Sequence, residues 1–305
     1  MHAPDHKIVS ILKETGPLTG GELARRSLID LFTLWQICRK SAGVQCRIAG
    51  RRFLRLDRFV EGYARLSPSI GREFQTYTVV GAAGQGGALE ETARRLGEEI
   101  GEISRAKFGL ARETMASVLG SLPEREAITE GACFILAGDI TYRMAHRDPR
   151  PEKSTGKTVR GSDLDIVVVA GDGLDQAAIA SLDRAIHDRK YLLLVHPRYR
   201  EEIDYLIKTV SRVRAQLRLE TFESMVAGKI LNEGLFLCGN PRIFQMVKQM
   251  IREEGLPDKF GELTVQARRN REQAEDYLLK LQSDLAAPEY RDLFHTREES
   301  LEGLY

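Results

Sequence analysis

The sequence predicts an α/β fold, a short mixed sheet flanked by helices, with a small basic unit before it and further helices after it. Three observations carry this. The branched, unbroken run Ile166-Val167-Val168-Val169 reads as a strand buried on both faces. Helical spacing at Ile179, Leu182 and Ile186 separates it from a second strand, in which Ile203, Tyr205 and Ile207 alternate. The first 60 residues hold three amphipathic stretches followed by a basic β-rich segment. These signals divide the chain into 1–60, a helical connector over 61–128, the α/β core over 129–235 and a helical region over 236–305.

From the N-terminus, Lys7 to Thr15 forms a first helix through Ile8, Ile11 and Leu12, and Gly16-Pro17 stops it. Thr19-Gly20-Gly21-Glu22 opens a second with a capping-box pattern. A third runs from about Leu31 to Ser41, with Leu31, Leu34, Trp35 and Cys38 on one face. Gln45 to Ile48 and Arg52 to Leu56 read as a hairpin around Ala49-Gly50-Arg51. Residues 1–60 carry eleven Lys or Arg against five Asp or Glu, so this segment is at +6 in a chain of net +1.

Thr76 to Val80 is strand-like and leads into Gly81-Ala82-Ala83-Gly84-Gln85-Gly86-Gly87. That spacing is not a dinucleotide fingerprint and reads as a flexible turn before a helix. Leu89 to Leu119 reads as two helices, and Ala132 to Ala137 as a buried strand ending at Gly138-Asp139. The polar segment Met144 to Arg160 reads as a long mobile loop. Within it, Ser154-Thr155-Gly156-Lys157-Thr158 ends like a phosphate-binding loop, but Pro151 stands where the first glycine belongs. Its Arg147, Arg150, Lys153, Lys157 and Arg160 are placed to hover over a bound triphosphate.

Two aspartates stand at the head of the central strand, in Gly161-Ser162-Asp163-Leu164-Asp165. Alternate strand residues share a face, so Asp163 and Asp165 project together. Their repulsion suits either solvation at a strand entry or relief by a hard divalent cation, Mg²⁺ above all. Asp204 lies opposite to Ile203, Tyr205 and Ile207 on the next strand, with Glu202 two residues earlier on the same face. Helices follow over Glu220 to Asn232, Pro241 to Glu254 and Leu263 to Leu285, and the last ten residues read as frayed.

The glycine turn, the Asp-x-Asp pair, the crossover helix and the third acid together resemble the DNA polymerase β-like nucleotidyltransferase superfamily over residues 130–235. The resemblance implies that Asp163, Asp165 and Asp204 are catalytic and hold two Mg²⁺ or Mn²⁺ ions. It implies transfer of a nucleoside monophosphate from a nucleoside triphosphate to an acceptor, with Asp204 helping to deprotonate that acceptor. Gly138, Asp139, Gly161, Ser162 and Lys229 become nucleotide-binding candidates. The family usually has Gly-Ser or Gly-Gly where this chain has Gly138-Asp139. The acceptor is left open among a small molecule, a protein side chain, an RNA end and a second nucleotide.

Three helices and a basic hairpin in residues 1–60 resemble a winged helix-turn-helix, which implies duplex DNA as a partner. Gln36, Arg39, Lys40, Arg47, Arg51 and Arg52 are the candidate contacts; the alternative is a protein-contact module. A second function follows from this pairing: a DNA-binding regulator whose nucleotidyltransferase-like part only senses a nucleotide.

Composition sets outer limits. The hydrophobic fraction of 42% is ordinary for a globular protein, and no apolar run approaches the ~18 residues of a membrane span. The stretch Met1 to His6 lacks the regions of a signal peptide, and a cytoplasmic location is expected. Cys38, Cys46, Cys133 and Cys238 lack zinc-site spacing and read as reduced, buried thiols.

Overall fold

The computed structural model describes residues 3–152, 155–281 and 288–301, and the chain divides into two compact units. One combines Met1–Ile100 with Thr264–Tyr305; the other is Gly101–Leu263. Among the described residues no helix is long and apolar enough to cross a membrane.

The first unit opens with α1 (Ala3–Thr15), β1 (Leu18–Thr19), α2 (Gly20–Ser27) and α3 (Leu31–Lys40). The capping box forms as its sequence requires: Glu22 N–H donates to Thr19 Oγ1 at 3.2 Å, and Thr19 N–H donates to Glu22 Oε2 at 2.8 Å. Then come β2 (Val44–Ile48), β3 (Phe53–Leu56), β4 (Ala64–Ser67), the single turn α4 (Ile70–Arg72) and β5 (Thr78–Ala82). The expected 45–56 hairpin does not form. β2 pairs antiparallel with β5, whose other edge takes β1, while β3 pairs with β4. Every residue of β5 is buried, so its backbone needs partners on both edges, and β2 supplies one of them.

A 35-residue helix, α5 (Gly86–Gly120), replaces the two helices expected over Leu89 to Leu119. Gly97, Gly101 and Gly109 each cost ~1 kcal/mol of helix propensity but leave the hydrogen-bond ladder whole, unlike a proline.

The second unit holds α6 (Arg125–Gly131), β6 (Ala132–Leu136), β7 (Pro149–Pro151), β8 (Thr158–Arg160), β9 (Leu164–Ala170) and α7 (Gln176–Val195). Next are β10 (Ile203–Thr209), α8 (Val210–Gln216), α9 (Phe222–Glu233), β11 (Leu235–Gly239) and α10 (Pro241–Glu253). Its mixed sheet has the order β10-β9-β6-β11, with β9 and β10 parallel and the other pairs antiparallel. Phe134, Ile166, Val168, Leu182, Ile186 and Ile203 lie in one buried cluster, which places the core between this sheet and its helices. The segment read as a mobile loop instead folds back as the β7–β8 hairpin, with Arg150 opposite Val159. Lys153 and Ser154 lie outside the described residues.

The chain ends with α11 (Leu256–Lys280), α12 (Pro288–Phe294) and α13 (Arg297–Leu301). Of the last ten residues, read as frayed, Arg297–Leu301 form a helix and 302–305 lie outside the described residues. Thr296 and Glu299 cap α13 reciprocally, with N–H to side-chain distances of 2.8 and 3.1 Å.

Candidate functional site

The site candidates gather where β6 ends and β9 and β10 begin. Parallel register sets Asp204 directly beside Asp165, so both side chains leave the sheet on the same face. β6 runs the other way, so its C-terminal end meets the same edge; Ala137 N–H donates to the Asp165 carbonyl at 2.9 Å. Gly138 follows with φ +71°, and a Cβ there would overlap Asp165 Oδ2. Only glycine combines that backbone conformation with this approach.

Asp165 is partly buried, and its carboxyl pKa is pushed up to about 7. Loss of water is the largest cause; Asp139, Asp204 and Glu202 add repulsion, which Arg150 opposes. The carboxylate is thus short of positive charge.

Asp163 stands one residue before β9 and is held by the Arg150 guanidinium, which also donates to Glu202 Oε2 at 2.9 Å and, from Nε, to the Gly161 carbonyl at 3.1 Å. Arg150 is buried, so it does not hover over a substrate as expected. Asp204 is exposed and accepts from Lys190 Nζ at 3.0 Å. Gly161, at φ +68°, has no room for a Cβ beside the His146 carbonyl. Ser162 Oγ donates to Asp139 Oδ2 at 3.0 Å and accepts from His146 N–H at 3.2 Å. Two of the five nucleotide-binding candidates, Asp139 and Ser162, are therefore already hydrogen-bonded to each other.

Lys229 on α9 forms an ion pair with Glu233 at 2.5 Å and donates to Tyr142 Oη at 3.1 Å. Burial holds the Glu233 carboxyl above its ordinary range, although Lys229 opposes this.

Sequence reasoning missed Lys107. This buried lysine on α5 donates to the carbonyls of Arg160 and Ser162, each at 2.8 Å, and pairs with Glu201. Burial lowers its ammonium pKa and Glu201 raises it. Lys107 and Arg150 together satisfy the carbonyls of residues 160 to 162 and so hold the turn that presents Asp163. A lysine at helical spacing gives no sign of a partner more than 50 residues away.

The N-terminal candidates are less well arranged. α3 is largely buried, and Gln36 donates to the carbonyls of Leu278 and Leu281 at 2.7 and 3.0 Å. It therefore does not face a groove. Arg52 is bound by Glu73 and Glu275, the former at 2.5 and 2.7 Å. Arg39 lies 3.6 Å from Glu275, and Arg47 pairs with Glu90. Lys40 and Arg51 are exposed. Cys38 and Cys133 are buried as expected, whereas Cys46 and Cys238 are only partly so; all four thiols are free.

Among the described residues, no three His, Cys, Asp or Glu side chains converge as a ready-made metal cluster. Comparisons with protein-family models, with curated proteins and with solved structures gave no match.

Proposed function

We propose that the second unit is a metal-dependent nucleotidyltransferase that moves a nucleoside monophosphate from a nucleoside triphosphate to an acceptor hydroxyl. One observation carries this reading: parallel register sets Asp204 beside Asp165, whose carboxyl is short of positive charge, against a glycine turn with no room for a side chain. The donor set suits Mg²⁺ or Mn²⁺, being hard carboxylate oxygen throughout. Asp165 and Asp204 would hold such an ion with Asp163, which must first be freed from Arg150. The ion supplies charge neutralisation at the triphosphate and acidifies the acceptor. The acceptor oxygen forms a bond to the α-phosphorus, and the bond to the bridging oxygen breaks with pyrophosphate leaving. Asp204, exposed at the sheet edge, takes the acceptor proton.

The test is pyrophosphate release from each of the four nucleoside triphosphates with Mg²⁺. Release by the wild type and none by Asp165→Asn supports transfer. A second reading, nucleotide sensing without transfer, is favoured by the engagement of Asp163 with Arg150 and of Ser162 with Asp139. Saturable nucleotide binding with no pyrophosphate selects it.

For the first unit, a phosphate-contacting role on duplex DNA rests on Lys40, Arg47 and Arg51 rather than on a groove-reading α3. Gel-shifts across a salt series test it: Lys40→Ala/Arg51→Ala should weaken binding to all sequences and flatten the salt slope. Absence of salt-dependent binding leaves protein contact as the role of this unit.

A further inference from the structure

At the sheet edge the Asp165 carboxylate is repelled by Asp139, Asp204 and Glu202 and steadied by Arg150, which itself pairs with Asp163 and Glu202, while Lys190 pairs with Asp204. Lys190 lies on α7 and reaches only the exposed Asp204. Arg150 is different. It is buried on the β7–β8 hairpin, and its guanidinium bridges Asp163 and Glu202 while its Nε takes the Gly161 carbonyl. One guanidinium nitrogen, Nη2, donates to both carboxylates, so a single positive charge is shared between two negative ones. Asp163 keeps about a quarter of its side-chain surface open to solvent, at 27%, whereas Glu202 is buried. An ion arriving from solution therefore meets Asp163 on its open side and Arg150 on the other.

The frame around this pair does not rest on Arg150 alone, although Arg150 holds the Gly161 carbonyl. Lys107 holds the Arg160 and Ser162 carbonyls together with Glu201. Leu164 N–H donates to the Glu202 carbonyl at 2.9 Å. Two of the three turn carbonyls and the start of β9 therefore keep their partners when the guanidinium is gone.

We propose that Arg150 is a built-in counter-cation. It occupies Asp163 and Glu202 in place of a divalent ion, and must leave Asp163 before such an ion is shared between Asp163 and Asp165. This rests on the reading of the edge as a cation site, and it assigns the β7–β8 hairpin a regulatory part in that site. Loading becomes an exchange of one positive group for another rather than the filling of bare carboxylates.

The experiment is a Mn²⁺ titration followed by electron paramagnetic resonance on the full chain, comparing wild type, Arg150→Met and Arg150→Lys. Removal of the competitor should tighten Mn²⁺ binding at least tenfold in Arg150→Met. Arg150→Lys keeps the charge but is shorter and loses the Nε bond to the Gly161 carbonyl, so its hold on the two acids loosens and it should bind severalfold more tightly than wild type. If Arg150→Met fails to fold, the Arg150→Lys comparison alone decides. Binding in both variants that is no tighter than wild type, or absent from all three proteins, overturns the proposal. Tightened binding without pyrophosphate release would sink the transferase reading while leaving Arg150 its role. Release by wild type with Mn²⁺ affinity unchanged in the variants would do the reverse.

Discussion

At the scale of single residues, Gly138, like Gly161, is tightly constrained. Alanine there would sit at φ +71° and overlap the Asp165 carboxylate, costing on the order of 1–3 kcal/mol by strain. Urea denaturation should show that loss in Gly138→Ala, with pyrophosphate release lost as well. His295 gives a pH signature instead. Burial lowers its pKa to about 4; Glu299 pulls it up, and Arg72, Arg65 and Arg291 push it further down. The folded chain thus binds fewer protons than the unfolded one between about pH 4 and 6.5, so stability is full above that window and is lost as pH falls through it. Denaturation midpoints at pH 7 and 4.5 should differ more in wild type than in His295→Gln. The Gly138 turn and the acids are legible because each is a local pattern. Arg150 and Lys107 were not, since their partners are set by a hairpin and a long helix that bring distant segments together.

At the scale of elements, α3 and α12 show what a charge count along the chain leaves unread. Phe294 packs edge-on against Phe32 at 5.2 Å and lies 5.5 Å from Trp35, and it is buried. Phe32, Trp35 and Gln36 of α3 are thus buried in the first unit, while Arg39 and Lys40 remain exposed. Truncating Phe294→Ala should destabilise that unit by ~3 kcal/mol, the usual cost of a large-to-small change at an aromatic core position; a thermal melt reads it. Helix starts were legible through caps such as Thr19, whose side chain accepts from Glu22 N–H at 3.2 Å. The 45–56 hairpin was misread because strand patterning marks a strand without naming its partner. The fully buried β5 claimed β2, and β3 turned to β4.

At the scale of the whole molecule, the +6 charge of residues 1–60 is not a free basic surface. Glu275 takes Arg39 and Arg52, Glu298 takes Arg55 and Glu90 takes Arg47. Acids from distant segments answer arginines from the N-terminal one, so a count along the chain overstates the charge in space. The α/β class and the order strand, helix, strand in the core were readable because burial on both faces leaves a continuous branched run, and β9 is such a run. What the core does turns on whether Asp165 is poised for a cation. Its carboxyl is held up by burial and by neighbouring acids, so at pH 8 its charge destabilises the metal-free fold. Melting temperatures at pH 8, with and without Mg²⁺, for wild type and Asp165→Asn test this most directly. The account predicts that Asp165→Asn melts above wild type without Mg²⁺, and that Mg²⁺ stabilises wild type but not the variant. A variant that melts below wild type, with Mg²⁺ shifting neither protein, would contradict it.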